Sequence, residues 1–258
     1  MTKNGDMQGS GGVEVAGLTD VGCQRQNNED RFGYWEPGVN GSSPGKGRLA
    51  VVADGMGGHE GGQDASRIAV DTIQQVFASS ADANPQAALT EGFREAHRQI
   101  HQFAAKNPDL RGMGTTATAV VLLANQLYFS HIGDSRLYLI REGRISRLTH
   151  DHSYVSRLVE SGVITSEEAE VHPQRHILTA ALGTGQEFSP ESPEQPIPLH
   201  AGDVLVLCTD GLWGMLNDQE VQEQVAAHSP AEACAALIQM AKARGGPDNI
   251  TVQVLKVQ

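Results

Sequence analysis

The sequence contains few cysteines and no long apolar run. Its three cysteines, Cys23, Cys208 and Cys234, are too few for a disulfide scaffold, and none forms a Cys-x-x-Cys pair. We therefore expect a reducing, cytoplasmic location. The longest apolar run, residues 117–124, is far shorter than the ~20 residues that a membrane helix needs. The N-terminus lacks the apolar segment of a secretory signal, so we expect no contact with a membrane.

Positive charge is also scarce in this chain. Lys and Arg number 19 against 31 Asp and Glu, which gives a formal charge of −12. Nucleic acids and anionic membranes bind positively charged surfaces, so we expect neither as a partner. With 258 residues, 39% of them hydrophobic, the chain can bury one large core. No apolar stripe indicates an oligomer interface, and we expect a monomer.

Glycine-rich and proline-rich stretches divide the chain only weakly. Residues 1–12 are polar and glycine-rich, and we predict a flexible N-terminal tail there. A second such stretch, 37–47, predicts a flexible loop whose role the sequence does not indicate. Neither stretch is typical of a domain linker, so we predict a single domain over residues 13–258.

Short apolar runs predict the strands. They lie at 49–53, 115–123, 127–132, 135–141, 204–208 and 250–257. The links between the second, third and fourth runs are too short for a crossover helix, which predicts an antiparallel meander. The alternation of apolar and polar residues in the last run is typical of an edge or half-buried strand.

Apolar residues at three- and four-residue spacing predict helices between these strands. One covers residues 65–77, a second begins at Asn84-Pro85, and a third begins at Ser229-Pro230. Thr165 and Glu168 form a capping box for a short helix. We therefore predict an α+β fold, with helices packed on the faces of largely antiparallel sheets.

Acidic residues stand where predicted strands begin or end, in segments far apart in the chain. They are Glu29, Asp30, Asp54, Asp134, Asp210 and Asp248. Each one alone is better explained as part of a turn, because Asp-Gly and Pro-Asp are common turn sequences. Clustered carboxylates, however, repel one another unless a cation neutralises them. Oxygen ligands favour Mg²⁺ or Mn²⁺ over Zn²⁺, and an adjacent glycine lets a carbonyl approach the ion.

Eight motifs in order give the chain a family resemblance. They are RQNNED (25–30), VVADGMGGHEGG (51–62), GTTAT (114–118), HIGDSR (131–136), LTHDHS (148–153), HPQRHILTAALGT (172–184), CTDGLW (208–213) and GGPDNITV (245–252). Together they resemble the metal-dependent serine/threonine protein phosphatases of type 2C, the PPM family, in its bacterial branch. The resemblance covers roughly residues 13–257.

The resemblance implies a fold and a metal centre. The fold is a central antiparallel β-sandwich flanked by pairs of helices, in four αββα layers. At one edge of the sandwich it implies a binuclear Mn²⁺ or Mg²⁺ centre. The implied ligands are Asp54, Asp210, Asp248 and the carbonyl of Gly55, with Asp30 in support, in part through water. Asp134 with Asp210 matches a third, weaker metal position.

The implied activity is hydrolysis of phosphoserine and phosphothreonine in proteins by a metal-activated water, with no phosphoenzyme. Arg25 matches the phosphate-binding arginine, whose planar fork can hold two oxygens. His59 is a candidate general acid for the leaving alkoxide, and the alternative is that it bonds a ligand carboxylate. We expect phosphoprotein partners that include a Ser/Thr kinase, whose signal the chain opposes.

Two other functions stay open at this point. The domain could be a regulatory module that binds within a kinase pathway, or a phosphohydrolase that acts on small phosphate esters. Three further features are interpreted as structural. His150 and His152 are spaced like a metal pair on a strand, but the matching family segment is structural. Cys208 is expected to be inert core, and Trp213 and Met215 are expected to serve in packing and not in substrate contact.

Residues 154–174 match the variable flap of the family, beside the active site, and carry Glu167, Glu168 and Glu170. We predict that this acidic segment disfavours acidic sequences around the phosphorylated residue. At low ionic strength, a phosphothreonine peptide with basic flanking residues should be hydrolysed about threefold faster or more than a matched peptide with acidic flanking residues. Initial rates of phosphate release measure this, and equal rates would rule the prediction out.

Overall fold

The computed structural model describes residues 12–38, 45–57, 61–185 and 188–258. The predicted tail lies outside this range except for Gly12, and so does most of the predicted 37–47 loop. The strands are β1 (Val13–Asp20), β2 (Asp30–Trp35), β3 (Arg48–Met56), β4 (Gly114–Thr115), β5 (Ala117–Leu123), β6 (Gln126–Ile132), β7 (Arg136–Arg141), β8 (Arg144–Arg147), β9 (Ile197–Pro198), β10 (Val204–Cys208) and β11 (Ile250–Val257). The helices are α1 (Gly61–Ser79), α2 (Pro85–Lys106), α3 (Tyr154–Glu160), α4 (Ser166–Glu170), α5 (Asp210–Trp213), α6 (Asp218–Ala227) and α7 (Pro230–Ala243), with a 3₁₀ turn at Pro108–Leu110.

The strands form two sheets that pack face to face. Sheet I has the order β1-β11-β10-β7-β8, and sheet II has the order β2-β3-β5-β6-β9, with β4 beside β3. The pairings within both sheets are antiparallel. Val52 and Val120 of sheet II meet Leu205, Leu207 and Leu255 of sheet I in one buried cluster. This cluster is the central layer of the predicted sandwich.

Helix pairs cover the outer faces of both sheets. The apolar stripes of α1 and α2 bury Ile73, Leu89 and Phe93 against sheet II, and those of α6 and α7 bury Val221 and Leu237 against sheet I. The predicted α+β fold of four αββα layers is confirmed. Among the described residues, no helix is both long enough and apolar enough to cross a bilayer.

The predicted helix starts are also present. Asn84 is the N-cap of α2, and its Oδ1 accepts a hydrogen bond from Gln86 N at 3.0 Å. Thr165 and Glu168 form the predicted capping box of α4. These caps satisfy backbone N–H groups that a helix start leaves without partners, so local chemistry determines where these helices begin.

The link between β6 and β7 contradicts the predicted meander. β6 ends in sheet II and β7 begins in sheet I, so these two strands do not pair. Gly133 makes the crossing possible with φ +106°, in a space where a Cβ would lie 2.5 Å from Thr116 Cγ2. Because the link crosses between sheets, it places Asp134 where the two sheets meet.

β11 also differs from the prediction, because it is a central strand and not an edge or half-buried one. It lies between β1 and β10, and Lys256 is its one exposed residue. Two of the three polar residues that suggested exposure, Thr251 and Gln253, are buried and make hydrogen bonds. Thr251 Oγ1 lies 2.7 Å from Thr19 Oγ1, and Gln253 Nε2 donates to Gly33 O at 3.2 Å. The alternation of apolar and polar residues in β11 therefore reflects hydrogen bonds in the interior and not exposure to solvent.

Truncation of Leu205 tests the packing between the sheets. This side chain is fully buried, and Leu205→Ala should lower the free energy of unfolding by about 2–5 kcal/mol, because it removes apolar contacts and leaves a cavity. Urea denaturation followed by circular dichroism measures the change. Val163→Ala, at a side chain that is 67% exposed, is the control, with an expected change below about 0.5 kcal/mol. Equal losses in both variants would contradict the assigned core.

Candidate metal centre

Carboxylates from both sheets meet at one edge of the sandwich. Asp30 begins β2 and pairs in register with Asp54 of β3, in sheet II. Asp210 begins α5 directly after β10 of sheet I, and Asp248 lies just before β11. Asp134 lies in the crossing between the sheets. The four other carboxylates all lie close enough to raise the pKa of Asp54 by repulsion.

Burial raises the pKa of the four inner carboxyls, Asp30, Asp54, Asp134 and Asp210, and repulsion from neighbouring carboxylates adds to the effect. The pKa of Asp30 rises to about 7, although hydrogen bonding by Thr251 and Thr209 acts in the opposite direction. Thr209 Oγ1 donates to Asp30 Oδ2 at 2.7 Å. The folded chain thus holds several carboxylates that an adjacent cation would stabilise in the charged form.

The donor atoms at this edge fit a hard divalent cation. Asp30 Oδ1 and Asp210 Oδ1 are buried and have no hydrogen-bond partner among the described residues. A buried polar atom without a partner is costly, so such atoms call for a ligand. All the acidic donors are oxygens, which Mg²⁺ and Mn²⁺ prefer. The residues present therefore fit the predicted cations.

Arg25 lies at the exposed side of this cluster, bound to Asp248. Its Nη2 is 2.8 Å from Asp248 Oδ2, and the two side chains are 52% and 34% exposed. Partial burial lowers the pKa of Arg25, but attraction to Asp248, Glu29 and Asp54 outweighs it and leaves the pKa raised. A half-exposed ion pair is weak, so Arg25 can exchange Asp248 for another anion.

Gly55 follows Asp54 at a crowded point. Its N–H donates to Glu29 O at 3.2 Å, and a Cβ there would lie 2.0 Å from Gly62 O. Packing alone therefore requires glycine at this position. His59, the candidate general acid, lies outside the described residues, and its role stays a prediction.

Asn249 holds the loop between β1 and β2 at three points, a role that was not predicted. Its Oδ1 accepts from Glu29 N at 2.8 Å, and its Nδ2 donates to Val21 O and Asn27 O at 3.0 and 2.9 Å. These bonds tie the loop that carries Arg25 to the segment that carries Asp248. The one sequence signal was its place in the Pro-Asp-Asn turn before β11.

Two threonines hold the backbone of Asp54 and were also missed as site residues. Thr116 Oγ1 accepts from Asp54 N at 2.9 Å, and Thr115 Oγ1 donates to Asp54 O at 2.8 Å. Thr116 Oγ1 also lies 2.7 Å from Ser135 Oγ. The GTTAT motif therefore connects the segments that carry Asp54 and Asp134.

A second group of possible metal-binding side chains consists of His131, His152 and Glu191. Burial lowers the pKa of His131 to about 4, and both of its ring nitrogens have partners. Nδ1 is 2.8 Å from Thr118 Oγ1, and Nε2 is 3.1 Å from His150 O. Because these contacts occupy the ring nitrogens of His131, they favour a structural role for this group, as was predicted for His150 and His152.

Cys208 is fully buried within β10. Burial raises the pKa of its thiol to about 12, so the group stays protonated near neutral pH. This agrees with the inert core role predicted for it.

Comparison with known proteins identifies close relatives. Residues 16–250 match the family model described as protein phosphatase 2C. The serine/threonine protein phosphatase PstP of Mycobacterium tuberculosis is 38% identical over 245 residues, which are 95% of this chain and 45% of that protein. This chain thus spans less than half the length of that relative. Protein phosphatase PhpP of Streptococcus pneumoniae is 37% identical over 250 residues, covering 95% of this chain and 98% of that protein.

A solved structure of a relative is similar to this chain in its fold as well as in its sequence. It is the catalytic domain of the serine/threonine protein phosphatase PstP in complex with two manganese ions. The two structures superpose with a TM-score of 0.82 at 35% identity, over 95% of this chain and 98% of that one. The similarity therefore extends over nearly the whole chain.

The pH dependence of stability tests the carboxylate cluster. Burial gives Asp30 a pKa of about 7 against an ordinary 3.8, so the folded chain binds protons that the unfolded chain releases, and rising pH favours unfolding. Burial lowers the pKa of His131, His97 and His152, and these groups act in the opposite direction, mainly below the ordinary histidine pKa of 6.5. With chelator present, the Tm should therefore fall between pH ~6.5 and ~8, and saturating Mn²⁺ should reverse the fall.

Differential scanning calorimetry across this range measures the effect. Asp54→Asn removes one repelling charge and should flatten the dependence, whereas Asp82→Asn, at an exposed carboxylate, should leave it unchanged. A Tm that rises with pH in chelator would contradict the arrangement.

Proposed function

The chain belongs to the protein phosphatase 2C family, and from this premise we propose that it hydrolyses phosphoserine and phosphothreonine in proteins in a metal-dependent reaction. The observation that carries the proposal is the cluster of buried carboxylates, two of which present an oxygen without a protein partner. Such a cluster destabilises the fold unless it binds cations, and cations are what this hydrolysis requires.

We propose Asp54, Asp210 and Asp248, with the carbonyl of Gly55, as the main ligands, and Asp30 as their support. Mn²⁺ or Mg²⁺ held there supplies an activated water and offsets negative charge on the phosphoryl group. The manganese ions named in the PstP complex support this choice of cation. Asp134, in the crossing between β6 and β7, and Asp210, directly after β10, are proposed as a third, weaker position.

Arg25 is proposed to bind the phosphate group of the substrate. Its guanidinium is half exposed and lies beside the carboxylate cluster, where an incoming phosphate would compete with Asp248 for it. The planar guanidinium can bind two phosphate oxygens at once, and it stays charged at any relevant pH. Arg25 thus orients the phosphoryl group toward the cluster and offsets part of its charge. His59 remains the candidate that would donate a proton to the leaving group.

The surface beside the site supports a protein as the substrate. Among the described residues, the large hydrophobic side chains that are exposed all come from one region, at Tyr154, Val163, Val171 and Ile177. Exposed apolar side chains concentrated in one segment of the chain favour a surface that contacts another macromolecule. A small phosphate ester would reach the carboxylates without needing it.

The setting of the reaction follows from the same proposal. We propose that the phosphoprotein partners include a Ser/Thr kinase, whose signal the chain opposes, and that the chain acts as a monomer in the cytoplasm. Cys23, Cys208 and Cys234 are free thiols, which supports a reducing compartment.

Removal of the metal and of one ligand tests the activity. Phosphate release from a phosphothreonine peptide should be lost in chelator and return with Mn²⁺. In Asp210→Asn it should fall by about 100-fold or more, because a cation ligand is lost at the reacting group. Asp218→Asn is the matched control, since Asp218 also begins a helix but is exposed, and its rate should be unchanged.

The other outcomes distinguish the alternatives. Release from p-nitrophenyl phosphate but from none of several phosphopeptides would favour a phosphohydrolase of small esters. No release in any condition would contradict the enzymatic function and favour a binding module.

A further inference from the structure

Trp213 links two of the carboxylate segments through a hydrogen bond. It is the last residue of α5, which begins at Asp210. Its indole Nε1–H donates to the backbone carbonyl oxygen of Asp134 at 2.9 Å. The ring therefore connects the segment that follows β10 with the crossing between β6 and β7. These two segments carry Asp210 and Asp134, the residues of the third proposed metal position.

Arg136 packs against the face of the indole ring. The guanidinium Cζ lies 3.7 Å from the ring centroid of Trp213, within the range of a cation–π contact. Arg136 is itself held by Asp151, with Nε–Oδ1 and Nη2–Oδ2 distances of 3.1 and 2.7 Å, and by Tyr138 Oη at 3.2 Å. The Arg136 and Asp151 side chains are only 17% and 10% exposed. The two hydrogen bonds to Asp151 restrain the guanidinium of Arg136, and the guanidinium in turn restrains the indole ring on which it packs.

The residues on both sides of Asp134 are bound elsewhere. Gly133 N donates to His152 Nδ1 at 3.2 Å, and Thr118 Oγ1 donates to Ser135 O at 3.1 Å. These two bonds join the crossing to β5 and to the segment after β8. The hydrogen bond from Trp213 joins the crossing to the segment of Asp210. This bond therefore affects the distance between the carboxylates of Asp134 and Asp210.

We propose that Trp213 is a positioning residue that holds the Asp134 peptide relative to Asp210, so that the two carboxylates share one cation. This inference rests on the proposed function, which places a weaker metal position between them. The role goes beyond the core packing expected from the sequence, because it depends on the indole N–H and not only on the ring.

Trp213→Phe tests the role of the N–H. The variant keeps an aromatic ring over Arg136 and removes the donor. Binding of Mn²⁺ to the metal-stripped full chain is followed by electron paramagnetic resonance of free Mn²⁺. We expect the tighter sites to be unchanged and the weakest site to bind about fivefold less tightly, which corresponds to about 1 kcal/mol, the typical worth of one hydrogen bond.

Trp35→Phe is the matched control. Trp35 is the other tryptophan of the chain, and it lies at the opposite end of β2 from Asp30, packed on Phe77 with ring centroids 5.6 Å apart. This variant should bind Mn²⁺ like the unmodified chain. An unchanged weakest site in Trp213→Phe, or an equal loss of affinity at every site, would overturn the proposal.

A second measurement leaves Trp213 in place and so does not depend on how Trp213→Phe folds. In Trp35→Phe, Trp213 is the sole tryptophan, and paramagnetic Mn²⁺ bound nearby quenches its fluorescence. We expect quenching over the concentration range in which the weakest site fills, and we expect Asp134→Asn to abolish that component. Quenching that Asp134→Asn leaves intact would overturn the proposal.

These measurements separate the inference from the function on which it rests. Both follow metal binding, and neither requires turnover. Phosphate release by the unmodified chain together with an unchanged weakest site in Trp213→Phe would overturn the role of Trp213 alone. An inactive unmodified chain would overturn the proposed function, and Mn²⁺ binding to Trp213→Phe would still decide the role of Trp213.

Discussion

Repulsion between buried carboxylates is the constraint on which the arrangement of this protein depends. The two sheets bring Asp30, Asp54, Asp134 and Asp210 to one edge, where burial and mutual repulsion oppose their ionisation. The free energy that makes this edge unfavourable without cations is the same free energy that would favour binding them. Stability and metal affinity are therefore coupled through these groups.

Neutral side chains hold the inner carboxylates in place. Thr209 bonds the carboxylate of Asp30, and Thr116 bonds the backbone of Asp54. Hydroxyl groups orient these residues without cancelling their charge, which leaves the negative field available to a cation. Among the described residues, Arg25 is the one arginine with an ion pair to the cluster, and it contacts the more exposed Asp248, where an anionic substrate is proposed to displace that carboxylate.

The site also requires that both sheets be packed together. Sheet II supplies Asp30 and Asp54, sheet I supplies Asp210 and Asp248, and the crossing between the sheets supplies Asp134. No single hairpin carries enough ligands for a cation. Contacts between the segments, such as the indole bond to Asp134 and the three bonds of the Asn249 side chain, connect the segments that carry the proposed ligands.

The sequence by itself determined the local elements and the chemical character of the site. Apolar spacing and caps such as Asn84 located the helices, the acidic residues marked one end of the strands, and the ordered motifs indicated the family. Only the tertiary structure decided that β6 and β7 lie in different sheets, that β11 is central, that β1 completes sheet I, and that Trp213 contacts Asp134. The reason is physical: capping and periodicity depend on residues a few positions apart, whereas strand order and side-chain contacts between segments depend on residues that only folding brings together.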